Sequence, residues 1–187
     1  ALNPPQREAA KYLDGPLLVL AGAGSGKTRV ITHKIAYLIG ECGMAPQHVT
    51  AITFTNKAAR EMRERAKKLI GQGTSGAGEV SISTFHALGA KFLRMEARAI
   101  GLKPGFSILD ASDTSALFNE LLKDSDKTRV KLIQQRISLW KNALLDPDAA
   151  LAAAENDLES AAARVYAEYE RTLKAYQAVD FDDLIMK

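Results

Sequence analysis

The chain has 187 residues, 47% of them hydrophobic, and a formal net charge of +3. This composition can bury a sizeable core, as one large or two small domains, and it excludes an intrinsically disordered chain. No apolar run approaches the roughly 20 residues that span a bilayer, and the first residues lack signal-peptide character, so we expect a cytoplasmic protein with no membrane partner.

The first predicted elements are a strand and a helix joined by a glycine-rich loop. The apolar residues 17–20 predict a buried strand. Next, Gly22, Gly24 and Gly26 let the backbone turn its amides inward as a cradle for an anion. The helix that follows points its positive end at the same place. The pattern predicts a phosphate-binding loop, and a glycine-rich turn without a ligand is the alternative.

Side chains of this loop have expected roles in binding ATP and Mg²⁺. Lys27 is expected to reach the β and γ phosphates, and the Thr28 hydroxyl to bind Mg²⁺. Ala21 stands where the usual pattern has glycine, a departure that leaves the cradle glycines in place. The predicted phosphate-binding residues are Ala21, Gly22, Ala23, Gly24, Ser25, Gly26, Lys27 and Thr28.

Further strands and helices follow in alternation. Apolar residues at helical spacing predict a helix after the loop, which ends near residues 40–43. Residues 49–53 predict a second strand, an amphipathic helix follows Asn56, residues 71–78 predict a flexible connection, and residues 80–83 predict a third strand. Such strand–helix units are typical of an α/β fold with a mostly parallel sheet.

Polar segments follow the second and third predicted strands, and each contains a phenylalanine. Parallel strands end at the same edge of a sheet, where ligands commonly bind. Phe54 and Phe85 stand there among hydroxyls and amides, with little core to join. Exposed rings at this edge predict platforms on which bases stack, while hydroxyls, amides and Lys57 would hold phosphates. The alternative is that both rings turn inward beneath the loops.

The basic residues are concentrated in the N-terminal part of the chain. Residues 1–86 carry eleven Lys/Arg against six Asp/Glu, whereas the remainder carries fourteen against sixteen. This asymmetry is compatible with a second polyanionic ligand and equally with solvated helix faces.

After Phe85 the pattern predicts helices alone. Apolar stripes at helical spacing continue to about residue 176, and Asp146 before Pro147 predicts a helix N-cap. Trp140 and the tyrosines of the last long helix could stack on bases, but aromatic residues at helical spacing more often pack in a core. We therefore expect an all-helical subdomain over residues 88–176.

Five segments, taken together and in order, resemble a known family. They are Gln6, Ala-Gly-Ala-Gly-Ser-Gly-Lys-Thr-Arg-Val at 21–30, Thr-Phe-Thr-Asn-Lys-Ala-Ala-Arg-Glu-Met at 53–62, Ile-Ser-Thr-Phe-His at 82–86 and Asp-Phe-Asp-Asp-Leu-Ile at 180–185. The set is similar to the N-terminal motifs of the superfamily 1 DNA helicases of the Rep, UvrD and PcrA type. Residues 137–142 resemble Rep more than the other members.

The resemblance implies a fold and an activity. The fold is a P-loop NTPase (RecA-like) parallel-sheet core, and the activity is an ATP-driven motor that moves 3′ to 5′ on single-stranded DNA and separates duplex at junctions. Gln6 would read adenine and Arg29 would lie beside the nucleotide. The implied and candidate DNA contacts are Thr53, Phe54, Thr55, Asn56, Lys57, Thr84, Phe85 and His86.

The resemblance also implies an incomplete core. Residues 1–87 would be the first part of the ATPase core, residues 88–176 a helical insertion, and residues 177–187 the return to the core. A working helicase needs an acidic pair after a buried strand, and the nearest imitation ends at Asp110, where a helix cap at Ser112 or Asp113 is the better interpretation.

We therefore expect an N-terminal fragment of a longer helicase, without appreciable ATPase or unwinding activity of its own. Its partners would be single-stranded DNA, duplex junctions and the remaining core domains of the same parent chain, with self-association possible. Asp180, Asp182 and Asp183 are not expected to bind a metal. Two alternatives remain: a small-molecule or nucleotide kinase, and a stand-alone, non-catalytic module that binds nucleotide or DNA.

Overall fold

The computed structural model describes residues 2–71, 80–123 and 126–187. The predicted connection at 71–78 lies outside the described residues except for Gly71. The chain forms two compact units, Ala1–Phe85 and His86–Lys187, called here the first and second units.

Within its described residues, the first unit contains three α-helices and a sheet of two short strands. Its helices and strands are α1 (Pro4–Lys11), α2 (Lys27–Gly40), β1 (Thr50–Thr53), α3 (Asn56–Ile70) and β2 (Ser81–Thr84), with a short 3₁₀ turn at Pro46–His48. Apolar side chains of α2, α3 and both strands share one core. Its buried residues are Ile35, Ile39, Val49, Ala51, Ala59, Met62, Ala66, Val80 and Ile82.

The two strands of the first unit are parallel, as predicted. Thr50 pairs with Ser81 and Thr53 with Thr84, so both strands end at the same edge. The guanidinium of Arg63 on α3 donates to the Ile82 carbonyl at 2.5 Å, which ties the helix to β2. Phe54 and Phe85, the residues that directly follow the two strands, therefore lie side by side at this edge.

The prediction of a buried strand at residues 17–20 is wrong for this structure. These residues form no strand among the described part of the chain, and Leu18 and Leu20 are 81% and 87% exposed. A strand needs a neighbour for its backbone N–H and C=O groups. Neither β1 nor β2 pairs with this segment, so the sheet of the first unit has two strands rather than three.

The second unit is mostly helical with one short parallel strand pair. Its elements are α4 (Phe85–Glu96, which begins at the last residue of the first unit), β3 (Ser107–Ile108), α5 (Ala111–Leu122), α6 (Lys127–Asn142), α7 (Pro147–Ala152), α8 (Asp157–Tyr176), β4 (Ala178–Val179) and α9 (Asp183–Met186). Strand β3 pairs in parallel with β4. Residues 88–176 are therefore not all-helical, since β3 lies among them. The sequence did not predict this strand because two residues are too few to show a strand pattern.

Capping residues explain where two of these helices begin. Asp146 accepts from the Ala149 amide at 2.8 Å, which confirms the predicted N-cap of α7. For α5 the predicted cap at Ser112 or Asp113 is wrong. Asp110 itself is the cap and accepts from both of those amides at 2.7 and 2.9 Å. A carboxylate is stabilised at a helix N-terminus, so Asp110 is accounted for by the fold.

The core of the second unit contains the aromatic residues that could have stacked on bases. Trp140, Tyr166 and Tyr169 are at most 7% exposed, which confirms their interpretation as packing. The Tyr169 ring stacks on Phe118 with centroids 4.4 Å apart, and Trp140 stacks on Tyr166 at 6.4 Å.

A fully buried lysine lies between α6, α8 and the C-terminal segment. The Lys141 ammonium is 2.8 Å from Asp180, 3.0 Å from Asp183 and 3.0 Å from Glu170. The Tyr169 hydroxyl also donates to Asp180 at 2.8 Å. Burial alone would lower the pKa of Lys141, but Asp183, Asp180 and Glu170 outweigh it and raise that pKa.

Two opposing effects act on the pKa of each aspartate in this cluster: burial raises it and the charge of Lys141 lowers it. Burial would raise the pKa of Asp180, but the ammonium of Lys141 and several hydrogen bonds lower it below the ordinary value. For Asp183, burial raises the pKa and Lys141 only partly counters it. The charge on Lys141 is therefore the largest single stabilising influence on the two buried aspartates, and Lys187 adds to it at Asp183.

A close approach in the second unit requires a glycine on α4. A Cβ placed on Gly89 would lie 1.8 Å from the Leu184 carbonyl oxygen. Gly89→Ala is therefore expected to lower the free energy of unfolding by about 1–3 kcal/mol or more, although alanine normally favours a helix. Chemical denaturation measures the change.

The matched control for that substitution is Gly40→Ala at the end of α2, where an added Cβ meets nothing within 4 Å. This variant is expected to be neutral or more stable by up to about 1 kcal/mol. Equal effects of the two substitutions would contradict the proposed clash.

In the described part of the chain, none of the helices combines the length and the apolar character that a membrane span requires.

Candidate functional site

The glycine-rich loop leads directly into α2. Gly24 and Gly26 have φ of 74° and 83°, the left-handed region in which a side chain is strained. Among the described residues, no side chain caps the start of α2, where Gly26 is the N-cap. The first amides of the helix therefore have no intrahelical acceptor and are free to bind an anion.

Lys27 lies across the loop. Its ammonium donates to the carbonyls of Ala21 and Gly22 at 3.0 and 2.7 Å. A Cβ added at Gly22 or Gly24 would meet nothing within 4 Å, so the loop borders open space. The residues thus fit a triphosphate, whose oxygens can replace the two carbonyls as acceptors for Lys27. Thr28, half-buried in the first turn, is the residue that would bind Mg²⁺.

Gln6 is brought to the same loop from α1. Its side-chain amide donates from Nε2 to the Ser25 carbonyl at 2.9 Å. Helix α1 is fixed on α2 by Lys34, whose ammonium donates to the carbonyls of Ala9 and Tyr12 at the end of α1. Two predicted site residues that are far apart in sequence are therefore in direct contact.

One cavity of about 390 Å³ joins these groups. Gln6, Ser25 and Lys27 provide its polar side, and apolar residues line the rest. The apolar and small lining residues are Pro5, Ala9, Val19, Leu20, Ala21, Val30 and Ile31, and Asn3 completes the wall. A flat apolar ring with a polar edge suits such a cavity. Arg29 is exposed, one residue beyond Thr28.

No carboxylate lines this cavity in the described part of the chain. Those residues also contain no group of three or more His, Cys, Asp or Glu that could hold a metal ion. The Asp180 and Asp183 carboxylates are bound to Lys141, and Asp182 accepts from the Asn142 amide at 3.1 Å. Each of these three acids therefore has a partner within the second unit.

A pair of aromatic rings lies at the edge where β1 and β2 end. Phe54 is 87% exposed and Phe85 is 45% exposed. Their centroids are 5.8 Å apart, with the rings tilted by 42°. The rings therefore do not turn inward beneath the loops, and they present apolar faces to solvent. Such faces can stack on nucleic-acid bases.

The other candidate DNA contacts are placed differently. Asn56 and Lys57 are exposed beside the ring pair. Thr55 is exposed too, but its hydroxyl oxygen accepts from the Ala58 amide as the N-cap of α3. Thr53 is half-buried, and Thr84, at the end of β2, is buried at 8% exposure.

His86 belongs to the second unit. Its ring lies against Phe181, with centroids 5.4 Å apart. Sequence reasoning did not predict this contact, nor the burial of Lys141, because in each case the partners are separated by 29 residues or more along the chain.

The sequence matches the protein family described as UvrD/REP helicase N-terminal domain over residues 2–187. It is 47% identical to the ATP-dependent DNA helicase Rep of Escherichia coli (strain K12) over 99% of this chain and 28% of that protein. It is also 47% identical to the ATP-dependent DNA helicase PcrA of Bacillus subtilis (strain 168), over 99% of this chain and 25% of that protein. The chain thus spans about a quarter of the length of these curated relatives, and the identities do not separate Rep from PcrA.

Proposed function

This chain belongs to the UvrD/REP helicase N-terminal domain family, and we propose that it is the part of an ATP-dependent DNA helicase that binds ATP and single-stranded DNA. The parent enzyme would couple ATP hydrolysis to 3′ to 5′ movement on single-stranded DNA and to opening of duplex junctions. The observation that carries the proposal is the cavity in which Gln6, Ser25 and Lys27 meet. In this cavity the Gln6 carboxamide could bind the edge of adenine while Lys27 and the loop bind the phosphates.

The chemistry of the nucleotide site follows from these residues. Phosphate oxygens would accept from the Lys27 ammonium and from the first amides of α2, and the Thr28 hydroxyl would be a ligand of Mg²⁺. The apolar lining would cover the adenine ring, with Gln6 at its edge. Bound Mg²⁺ would supply charge neutralisation for phosphoryl transfer. We propose that the whole loop from Ala21 to Thr28 surrounds the phosphates and that Arg29 lies beside the bound nucleotide.

The DNA site would use the Phe54 and Phe85 rings as stacking platforms. Stacking tolerates every base, which suits a motor that must move along any sequence. Asn56 and Lys57 stand next to the rings to hold the backbone. A kinase that acts on small molecules has no need of such a pair, and this supports the helicase over that alternative.

The remaining core domains of the parent chain are proposed as the partner that covers residues 17–20. Leu17, Leu18, Val19 and Leu20 are 44–87% exposed, more apolar surface than one short segment usually leaves in water. Strands from the rest of a RecA-like core would supply both the missing hydrogen bonds and the apolar cover. Self-association through the same segment is the outcome expected when that cover is missing.

The ATP site is tested by titration of this chain with fluorescent ATP. We expect saturable, Mg²⁺-dependent binding, and Lys27→Met is expected to weaken it by about tenfold or more because charge-assisted hydrogen bonds to phosphate are lost. ATP turnover is expected to be negligible, since no acidic group lines the described cavity. A coupled assay of phosphate release measures it.

Lys57→Met is the matched control, because this lysine is exposed at the strand edge and outside the cavity lining. It should leave ATP binding unchanged. Equal ATP affinity of the unsubstituted chain and the Lys27 variant would contradict the nucleotide site, and DNA-stimulated hydrolysis would contradict the proposed inactivity.

A further inference from the structure

The Gln6 side chain is held from two sides. Its Oε1 accepts from the Asn3 backbone amide at 3.1 Å, and its Nε2 donates to the Ser25 carbonyl at 2.9 Å. The Asn3 side chain in turn accepts from the Gln6 backbone amide at 3.0 Å. The two residues form a capping box at the start of α1.

These bonds distinguish the two ends of the carboxamide. In the reversed orientation, Nε2 would face the Asn3 N–H and Oε1 would face the Ser25 carbonyl. Donor would then oppose donor, and acceptor would oppose acceptor, so both bonds would be lost. In the observed orientation each end retains capacity, because a carbonyl oxygen can accept twice and an NH₂ group can donate twice.

The orientation matters for the base that is bound. Adenine offers a donor at N6 beside an acceptor at N7, whereas guanine offers two acceptors at O6 and N7. A fixed carboxamide that presents one acceptor and one donor can satisfy both adenine groups and only one of the guanine groups. A carboxamide free to reverse would bind adenine less well.

We propose that the backbone amide of Asn3 is a positioning group for nucleotide specificity, which fixes the Gln6 carboxamide in the orientation that selects adenine over guanine. This inference rests on the proposed function, because it assumes that Gln6 faces the base. It adds that α1 has two roles. Its N-terminal cap stabilises the helix and also sets the donor and acceptor order at the base edge.

Two substitutions at one position separate the backbone amide from the side-chain cap. Asn3→Ala removes the cap and keeps the N–H. Asn3→Pro removes both, and the observed φ of −71° is one that proline adopts. Both variants lose the same side-chain cap, so their difference reports the N–H donor.

The measurement is the ratio of affinities for ribose-labelled fluorescent ATP and GTP with Mg²⁺. We expect Asn3→Ala to keep the preference for ATP within about twofold. Asn3→Pro is expected to reduce it about fivefold, the value of one neutral hydrogen bond, by weakening ATP and not GTP. If the Asn3 amide had a purely structural role, Asn3→Pro would weaken the binding of ATP and GTP equally and leave the ratio unchanged. That result, or a complete loss of binding of both nucleotides, would overturn the inference.

Gln6→Glu separates the inference from the proposed function. Glutamate can still accept from the Asn3 amide and complete the capping box, but it cannot donate to Ser25 or to adenine N7. Loss of the ATP preference in this variant, with the preference kept in Asn3→Pro, would overturn the inference alone. An unsubstituted chain without a preference, or a Gln6→Glu variant that keeps it, would overturn adenine recognition by Gln6 and the inference together.

Discussion

Lys141→Met is expected to lower the free energy of unfolding of the second unit by about 3–5 kcal/mol. Lys141 is fully buried, and its ammonium lies between Asp180, Asp183 and Glu170. Lys187 adds a second cation, 3.1 Å from Asp183. Methionine fills a similar volume but leaves buried carboxylates without the Lys141 ammonium. Denaturation followed by the fluorescence of Trp140, which lies beside Lys141 in the same unit, measures the loss.

The pH dependence of this loss has a defined sign. Burial raises the pKa of Asp180 and Asp183, and Lys141 is the main group that lowers it. Removal of the lysine is expected to raise the folded-state pKa of both carboxyls, and that of Asp183 already lies above its ordinary value, so the folded variant should bind more protons than the unfolded chain. Stability of the variant should therefore increase as the pH falls toward 5 from 8, which protonates the buried acids.

The matched control is Lys131→Met on the same helix, since Lys131 is exposed. A change within about 0.5 kcal/mol is expected there. A loss of less than about 1 kcal/mol for Lys141→Met, or a loss that does not shrink at lower pH, would show that the buried charges are not coupled as the distances indicate.

The features that sequence predicted well are local. The glycine-rich turn before α2 depends on consecutive residues, and Gly24 and Gly26 have the positive φ angles that favour glycine. The strand end at Phe54 and the cap at Asp146 are likewise decided by a few neighbours in sequence. Short-range geometry leaves a direct mark in the order of residues.

The features that sequence missed depend on partners far along the chain. Nothing around Lys141 marks it as buried, since its acidic partners lie 29–42 residues later. Residues 17–20 have the composition of a buried strand, but composition alone does not predict which strand would pair with them. Asp110 shows a smaller error, in which the helix cap lies two or three residues earlier than expected, because Asp110, Ser112 and Asp113 can each act as a cap.

The Gln6 contacts link these two cases. The capping box with Asn3 is a short-range pattern, whereas the bond to Ser25 spans 19 residues. A single side chain therefore completes a local helix start and joins it to the loop. Because of this arrangement, the specificity of the proposed nucleotide site is expected to depend on a backbone amide outside the loop itself.

Phe54→Ala is expected to weaken binding of a fluorescent oligothymidine to this chain by roughly 5- to 150-fold, the equivalent of 1–3 kcal/mol per stacked base. Phe54 is 87% exposed, so its removal should cost little stability, and a lower affinity would report the loss of a contact surface. Anisotropy at low salt measures the affinity, because the contribution of the phosphates is then strong and weak complexes are visible. Phe85→Ala should act in the same direction, since the two rings form one tilted pair.

Phe92→Ala is the matched control, because Phe92 is an exposed phenylalanine on α4 in the second unit. It removes the same ring without touching the edge where β1 and β2 end. If all three variants bind the oligonucleotide equally well, Phe54 and Phe85 are exposed for a reason other than DNA, and the rest of the parent chain becomes their expected cover. If only the two edge variants bind less tightly, stacking at this edge is specific, because general loss of apolar surface would affect Phe92→Ala as well.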